Sequence, residues 1–163
     1  MKNKSTLFLV QAALIAAVYV VLTLVFAPFS YGEIQVRISE ALTILPYFTP
    51  AAIPGLFVGC ILSNILGGAI PVDVIFGSLI GAIFTYKLRT ASKWLAPLPP
   101  IAANTVIVPF VLYYGYNINL PIPLMMLTVG IGEVISCGVF GMIILSALSK
   151  VKGSVFGKTS FCK

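Results

Sequence analysis

The sequence contains no histidine. Imidazole is the commonest general base and metal ligand near neutral pH, so acid–base catalysis and metal binding both lose their usual residue. Cysteine is nearly as scarce. Cys60, Cys137 and Cys162 are odd in number and are spaced like neither a zinc site nor a redox pair, so they read as two core residues and a tail thiol. No G-x-x-x-x-G-K-[ST] phosphate loop occurs, and the chain by itself has no means of driving work with ATP. Charge is the largest deficit. Ten basic and four acidic residues amount to 9% of the 163 positions, against about 25% in a soluble domain. So few charges cannot clothe a water-facing surface.

What the chain does have is apolar surface: 60% of its residues are hydrophobic and its mean hydropathy is +1.10. A membrane crossing takes about 20 such residues, so the length accommodates six and leaves no room for a separate soluble domain. We read 1–163 as a single integral membrane domain. Lys2 and Lys4 precede the apolar run 7–26, which exceeds the roughly 7–15 residues of a signal-peptide core and reads as a retained first helix. A loop containing Pro28, Gly32, Glu33, Gln35 and Arg37 follows. The expected spans are 7–26, 34–48, 52–67, 74–86, 101–116 and 123–148. The second is short, and reaches a crossing length only if it begins near Ile34. Pro50 and Pro54 bracket a turn. Gly67, Gly68 and Pro71 end the third span, Asp73 stands at the N-cap position of the fourth, and Pro109 predicts a kink in the fifth.

Charge placement orients the bundle. With the N-terminus in the cytoplasm, six crossings put Lys2, Lys4, Lys87, Arg89, Lys93, Lys150, Lys152, Lys158 and Lys163 inside and Arg37 alone outside, the positive-inside pattern. An odd number of crossings destroys that pattern. The expected architecture is therefore an all-α, multi-pass bundle of six transmembrane helices in a cell membrane, with both termini cytoplasmic.

The acids distribute differently. Glu33, Glu40 and Asp73 map to outer ends of their segments, whereas Glu133 lies 11 residues into the sixth span, about 16 Å deep at roughly 1.5 Å per residue. An ionisable group at that depth faces the bundle interior or a cavity and marks a substrate or ion path; the alternative is that Glu133 pairs with Arg37 as a staple. Glu33, Arg37 and Glu40 share one face if the second helix starts early. They form either a salt-bridged stripe or one wall of an outward pocket. Asp73 and Phe76 set a carboxylate one turn from a ring, which suits a cationic or N–H-bearing heterocycle, or else they are a cap and a core phenylalanine. Asn64 lies about a turn from the outer end of the third span, and Asn104 is either a deep pocket residue or an interhelical hydrogen bond. Tyr113, Tyr114 and Tyr116 read as an interfacial belt, while Tyr31 is a candidate lid. Small residues recur at four-residue spacing in Gly55, Gly59, Ser63 and Gly67, in Gly77 and Gly81, and in Ala12/Ala16 and Ala13/Ala17. Such stripes let helices approach closely, and one alanine stripe is expected to serve a partner.

Three segments, EIQVRISEALTILPYFTPAAIPGLFVGC from Glu33, LGGAIPVDVIFGSLIGA from Leu66 and LAPLPPIAANTVIV from Leu95, resemble the QueT family of queuosine-precursor transporters, whose members are substrate-binding (S) components of energy-coupling factor (ECF) transporters. The resemblance implies a six-helix S-component fold that captures its ligand from outside. It also implies a transmembrane T component and two cytoplasmic ATPases, which use ATP on behalf of a chain that itself carries no cofactor. An A-x-x-x-A contact with the T component then falls on Ala12/Ala16 or Ala13/Ala17. The implied substrate is 7-aminomethyl-7-deazaguanine, or a queuine-like base or nucleoside. On this reading Glu40 and Glu133 divide the guanine edge and the ammonium between them, Asn64 and Asn104 read O6 or N7, and Phe76 or Tyr31 stacks on the ring. Competing expectations are a stand-alone secondary transporter, for which no internal repeat is evident, and an S component for another cationic or heterocyclic vitamin. An intramembrane enzyme is disfavoured by the missing histidine and the absence of a ligand cluster.

Overall fold

The computed structural model describes residues 2–26, 37–67, 72–88, 93–115 and 120–155; within these, the side chains of 2–4, 72–78, 93 and 152–155 are not described. The described residues are helical, with no strand among them. In order they form α1 (Lys2–Val25), α2 (Ile38–Tyr47), α3 (Ala52–Gly67), α4 (Val72–Leu88), a short 3-10 turn (Lys93–Leu95), α5 (Leu98–Gly115) and a long α6. The last runs without a break through Ile122–Glu133, a π-helical stretch Val134–Phe140, and Gly141–Val155.

Three stretches are long and apolar enough to cross a membrane: Ser5–Val25, Leu98–Gly115 and Ile122–Val151; Ala52–Gly67 and Leu79–Leu88 are shorter apolar helices. Their outward faces are apolar, as at Leu9, Leu14, Leu66, Leu127 and Ile143. Polar side chains turn inward instead, and Thr23, Glu40, Asn64, Thr85, Asn104 and Glu133 are all buried. A protein in water shows the reverse arrangement. This one is built for a bilayer.

Most elements begin and end near the expected places. α5 starts at Leu98 rather than 101, with Pro99 and Pro100 in its first turn, where a missing N–H leaves no hydrogen bond unmade. α4 starts at Val72, so Asp73 falls inside its first turn instead of preceding it. The expected 34–48 helix is corrected more deeply. Arg37 is extended (φ −88°, ψ 96°), and the ten residues that follow wind as a 3-10 helix. Runs of that winding longer than 3–4 residues are uncommon, and at about 2.0 Å per residue this one spans roughly 20 Å, short of a hydrocarbon core about 30 Å thick. Pro46, within it, has no N–H with which to continue an α-helical ladder. Arg37 and Glu40 therefore do not share an α-helical face; the Glu40 N–H donates to the Arg37 carbonyl at 2.9 Å.

α2 sits at the centre. Residues Ser39 to Pro46 are all buried, among α1, α4 and the second half of α6. Ile44, Leu45 and Phe48 join Ile15 and Tyr19 of α1, Leu56 of α3 and Leu145 of α6 in the principal apolar core. A second cluster, Val108, Leu112, Met125 and Val129, joins α5 to the first half of α6.

Small residues set the closest helix contacts. A Cβ added to Gly55 would stand 2.7 Å from the Ala12 carbonyl oxygen, and one added to Gly59 would stand 3.0 Å from Tyr19 Cβ and 3.1 Å from Ala16 Cα. The Ala12/Ala16 stripe thus lies against α3. Ala13 and Ala17, one position further round α1, are exposed. Gly81 repeats the device on α4, where a Cβ would meet Pro100 Cα at 2.7 Å, and the Thr85 hydroxyl pins the end of that helix by donating to the Ala96 carbonyl at 3.1 Å.

Candidate functional site

Five elements carry polar side chains into one connected cluster. From α1, the Tyr19 hydroxyl donates to Glu40 Oε1 at 2.7 Å and lies 3.3 Å from Cys60 Sγ on α3. One turn along α1, the Thr23 hydroxyl donates to Ser39 Oγ at 2.8 Å, its hydrogen shared with the Tyr19 carbonyl at 2.9 Å. Glu40 itself projects from the 3-10 helix and is 1% exposed. Its backbone carbonyl accepts from the Thr43 hydroxyl at 2.6 Å.

Cys137 joins that half to the other. Its thiol donates to Glu133 Oε2 at 3.2 Å, lies 3.3 Å from the Glu40 carbonyl oxygen and stands 3.4 Å from Thr43 Oγ1. Glu133, 5% exposed, closes α6's first α-helical stretch, and Cys137 lies in the π-helical stretch that follows. From α5, Asn104 Nδ2 donates to Glu133 Oε1 at 2.9 Å. The chain of contacts therefore runs Cys60, Tyr19, Glu40, Cys137, Glu133, Asn104 across α3, α1, α2, α6 and α5.

The ionisable groups of the interior lie close together. Arg37, also buried, lies within electrostatic range of Glu133 and Tyr19, and Glu40 within range of Glu133. Two carboxyl groups thus share the interior with one guanidinium. Burying ionisable groups is costly unless opposite charges or hydrogen bonds offset them. Several buried polar atoms remain unpaired among the described residues: Asn64 Nδ2, Asn104 Oδ1 and Ser136 Oγ. A buried polar group without a partner is uncommon and needs an explanation. Three grooves on the surface are lined by aliphatic side chains such as Leu14, Leu45 and Leu148, or Ile80, Leu98 and Val106. None of the three is lined by Glu40, Asn64, Asn104 or Glu133.

Of the residues singled out from sequence, Glu40, Glu133, Asn104 and Arg37 come together here. Asn64 is buried on α3 one turn from Cys60. Tyr31 and Glu33 lie outside the described residues, as do the side chains of Asp73 and Phe76. Tyr19, Thr43 and Cys137 belong to the cluster although the sequence did not mark them, and Cys60 and Cys137 read simply as core. A signal was present in the spacing: Glu133/Cys137, Cys60/Asn64 and Tyr19/Thr23 are each i, i+4, neighbours on one helical face. Among the described residues no group of three or more acidic or thiol side chains is disposed to hold a metal ion.

Comparison with known proteins bears on the whole arrangement. Residues 9–150 match the model of the QueT transporter family. Over 86 residues the chain is 40% identical to the queuosine precursor transporter QueT of Lactococcus lactis subsp. cremoris (strain MG1363), an alignment covering 52% of this chain and 50% of that protein. The chain thus spans about half the length of this curated relative. No solved structure matches it. The family is one of transporters. With the match extending from α1 to the last turns of α6, the chain belongs to the QueT transporter family.

Proposed function

We propose that this chain is the membrane-embedded substrate-binding component of an ECF-type importer, and that it captures a queuosine precursor from outside the cell. The observation that carries the reading is the buried Glu40–Glu133 cluster, with its two carboxyl groups and unpaired amide atoms, inside a bundle whose outer faces are apolar. A 7-deazaguanine bearing an aminomethyl group offers such a cluster a further cation and several N–H donors on a flat ring. The similarity to a queuosine precursor transporter supports the same ligand class. An anionic vitamin would meet two carboxylates.

On this reading six segments cross or enter the membrane, both termini are cytoplasmic, and the lysine-rich segments stay inside. ATP is used by two partner ATPases coupled through a T component, since the chain has no phosphate loop. The exposed Ala13/Ala17 stripe of α1 is the one available to that component, because Ala12 and Ala16 are occupied by α3.

Two measurements test the proposal. Mass spectrometry of the small molecule that copurifies with the chain is expected to find a deazaguanine with a protonated amine. Uptake of the labelled base is expected in cells that also express a T component and its ATPases, and to be absent with the chain alone. Uptake by the chain alone in vesicles driven by an ion gradient would establish a secondary transporter instead, and a bound anionic vitamin would overturn the ligand assignment.

A further inference from the structure

The two buried carboxylates can be given separate roles from the hydrogen bond between Asn104 and Glu133. Asn104 Nδ2 donates to Glu133 Oε1 at 2.9 Å. One N–H of the amide is thereby turned to the carboxylate, and the amide atom left with no partner among the described residues is the oxygen, an acceptor. That oxygen, Asn104 Oδ1, is buried. Cys137 meanwhile donates to the other carboxylate oxygen, Oε2, at 3.2 Å. Glu133 is thus held through both oxygens by donors of the chain, and a carboxylate oxygen carrying one such bond retains capacity for another.

The outcome is two acceptors side by side, the Asn104 carbonyl and the Glu133 carboxylate. Their complement is a planar edge with two adjacent N–H donors. A ring N–H next to an exocyclic amine, as in a 2-amino-4-oxopyrimidine ring, has that pattern; an edge with a ring nitrogen or carbonyl acceptor does not. Glu40 is set differently. Its Oε1 accepts from the Tyr19 hydroxyl at 2.7 Å, and its backbone carbonyl is engaged by Thr43 and approached by Cys137; a carboxylate oxygen that already accepts one bond keeps the acceptor chemistry that a compact ammonium needs.

We propose that Asn104 and Glu133 jointly read the ring N–H and exocyclic amine of the ligand, and that Glu40 takes its aliphatic ammonium. This inference rests on the 7-deazaguanine reading above and deepens it. It also reverses one expectation from sequence. Asn104 is not the group that reads the ligand's acceptor edge, where O6 is the acceptor and position 7 of a 7-deazaguanine is carbon, while Asn64 Nδ2, an unpartnered donor, has the polarity for that task.

The test is a set of binding titrations on the purified full chain with three compounds: 7-aminomethyl-7-deazaguanine, its analogue lacking the 2-amino group, and 7-methyl-7-deazaguanine, which lacks the ammonium. Hydrogen bonds to charged groups set the scale, so Glu133→Gln is expected to weaken the first compound roughly tenfold to a hundredfold. It should weaken the 2-amino-lacking analogue by several-fold less. Glu40→Gln is expected to show its large loss only with ligands that carry the ammonium. Asn104→Ala, which keeps both carboxylates, should follow the Glu133→Gln pattern. Because each comparison is between ligands on one variant, a general loosening of the fold weakens all three alike and does not mimic the expected result. Equal losses for all three ligands with Glu133→Gln, or a loss that depends on the ammonium, would overturn this inference while leaving the 7-deazaguanine reading intact. Failure of the wild-type chain to bind any of the three would remove both.

Discussion

Tyr19 reaches from α1 across the bundle interior to a carboxylate. Its ring packs in the principal core while its hydroxyl donates to Glu40 at 2.7 Å, so the two functions can be separated by one atom. Tyr19→Phe keeps the ring and removes the donor. Interhelical hydrogen bonds in membranes are worth about 1–2 kcal/mol at most, and we expect a loss of about that size in thermal or denaturant unfolding of the detergent-solubilised chain. Glu40, with one donor fewer, should also hold a cationic ligand in a less defined position. An unchanged unfolding midpoint would show that the Tyr19–Glu40 contact carries no net stability. At this scale the sequence was unevenly informative. Glu40, Glu133, Asn64 and Asn104 stand out because a polar group in an apolar segment is conspicuous, and its burial follows from the cost of facing lipid. Tyr19, Cys60 and Cys137 do not stand out, since their side chains pass for apolar until their partners are known.

Among the elements, α1 and α3 meet at Gly55 as closely as α4 and α5 do at Gly81. A side chain at Gly55 would drive its Cβ to 2.7 Å from the Ala12 carbonyl oxygen, which is backbone and cannot swing aside. Gly55→Val is therefore expected to separate α1 from α3 and to cost about 1–3 kcal/mol, the usual range for overpacking. Gly59→Ala, with its nearest atoms at 3.0–3.1 Å, should cost less. Ranking the two variants by unfolding midpoint checks the order, and a Gly59→Ala more damaging than Gly55→Val contradicts it. The helices themselves were legible because long apolar runs broken by Pro50, Gly67, Gly68 and Pro71 leave few places for boundaries. Winding was not legible. Nothing in ISEALTILPY announces a 3-10 helix, nor VISCGVF a π-helix, because both depend on neighbours: Thr43 and Cys137 hydrogen-bond to the Glu40 carbonyl, and that arrangement exists only once α2 and α6 have met.

For the whole molecule the proposed reading separates binding, which the chain would perform alone, from uptake, which needs partners. Ala17 is exposed on α1 and away from the interior cluster. Ala17→Leu is expected to leave ligand affinity and unfolding unchanged while reducing uptake at least tenfold in cells that express the partners. Uptake at the wild-type rate would place the partner contact elsewhere on the surface. The inward residues of the last helix carry a further consequence. Glu133, Cys137, Gly141 and Leu145 are all buried at intervals of four. An ideal α-helix turns about 100° per residue, so each such interval overshoots a full circle by about 40°, and three of them accumulate roughly 120°. Without correction Leu145 would point away from the core that it fills. The wide turns of Val134–Phe140 absorb that angular error, so one irregular stretch keeps the carboxylate at one end and the apolar anchor at the other in phase. Deleting a single residue there would rewind the helix and rotate one of them out of the bundle.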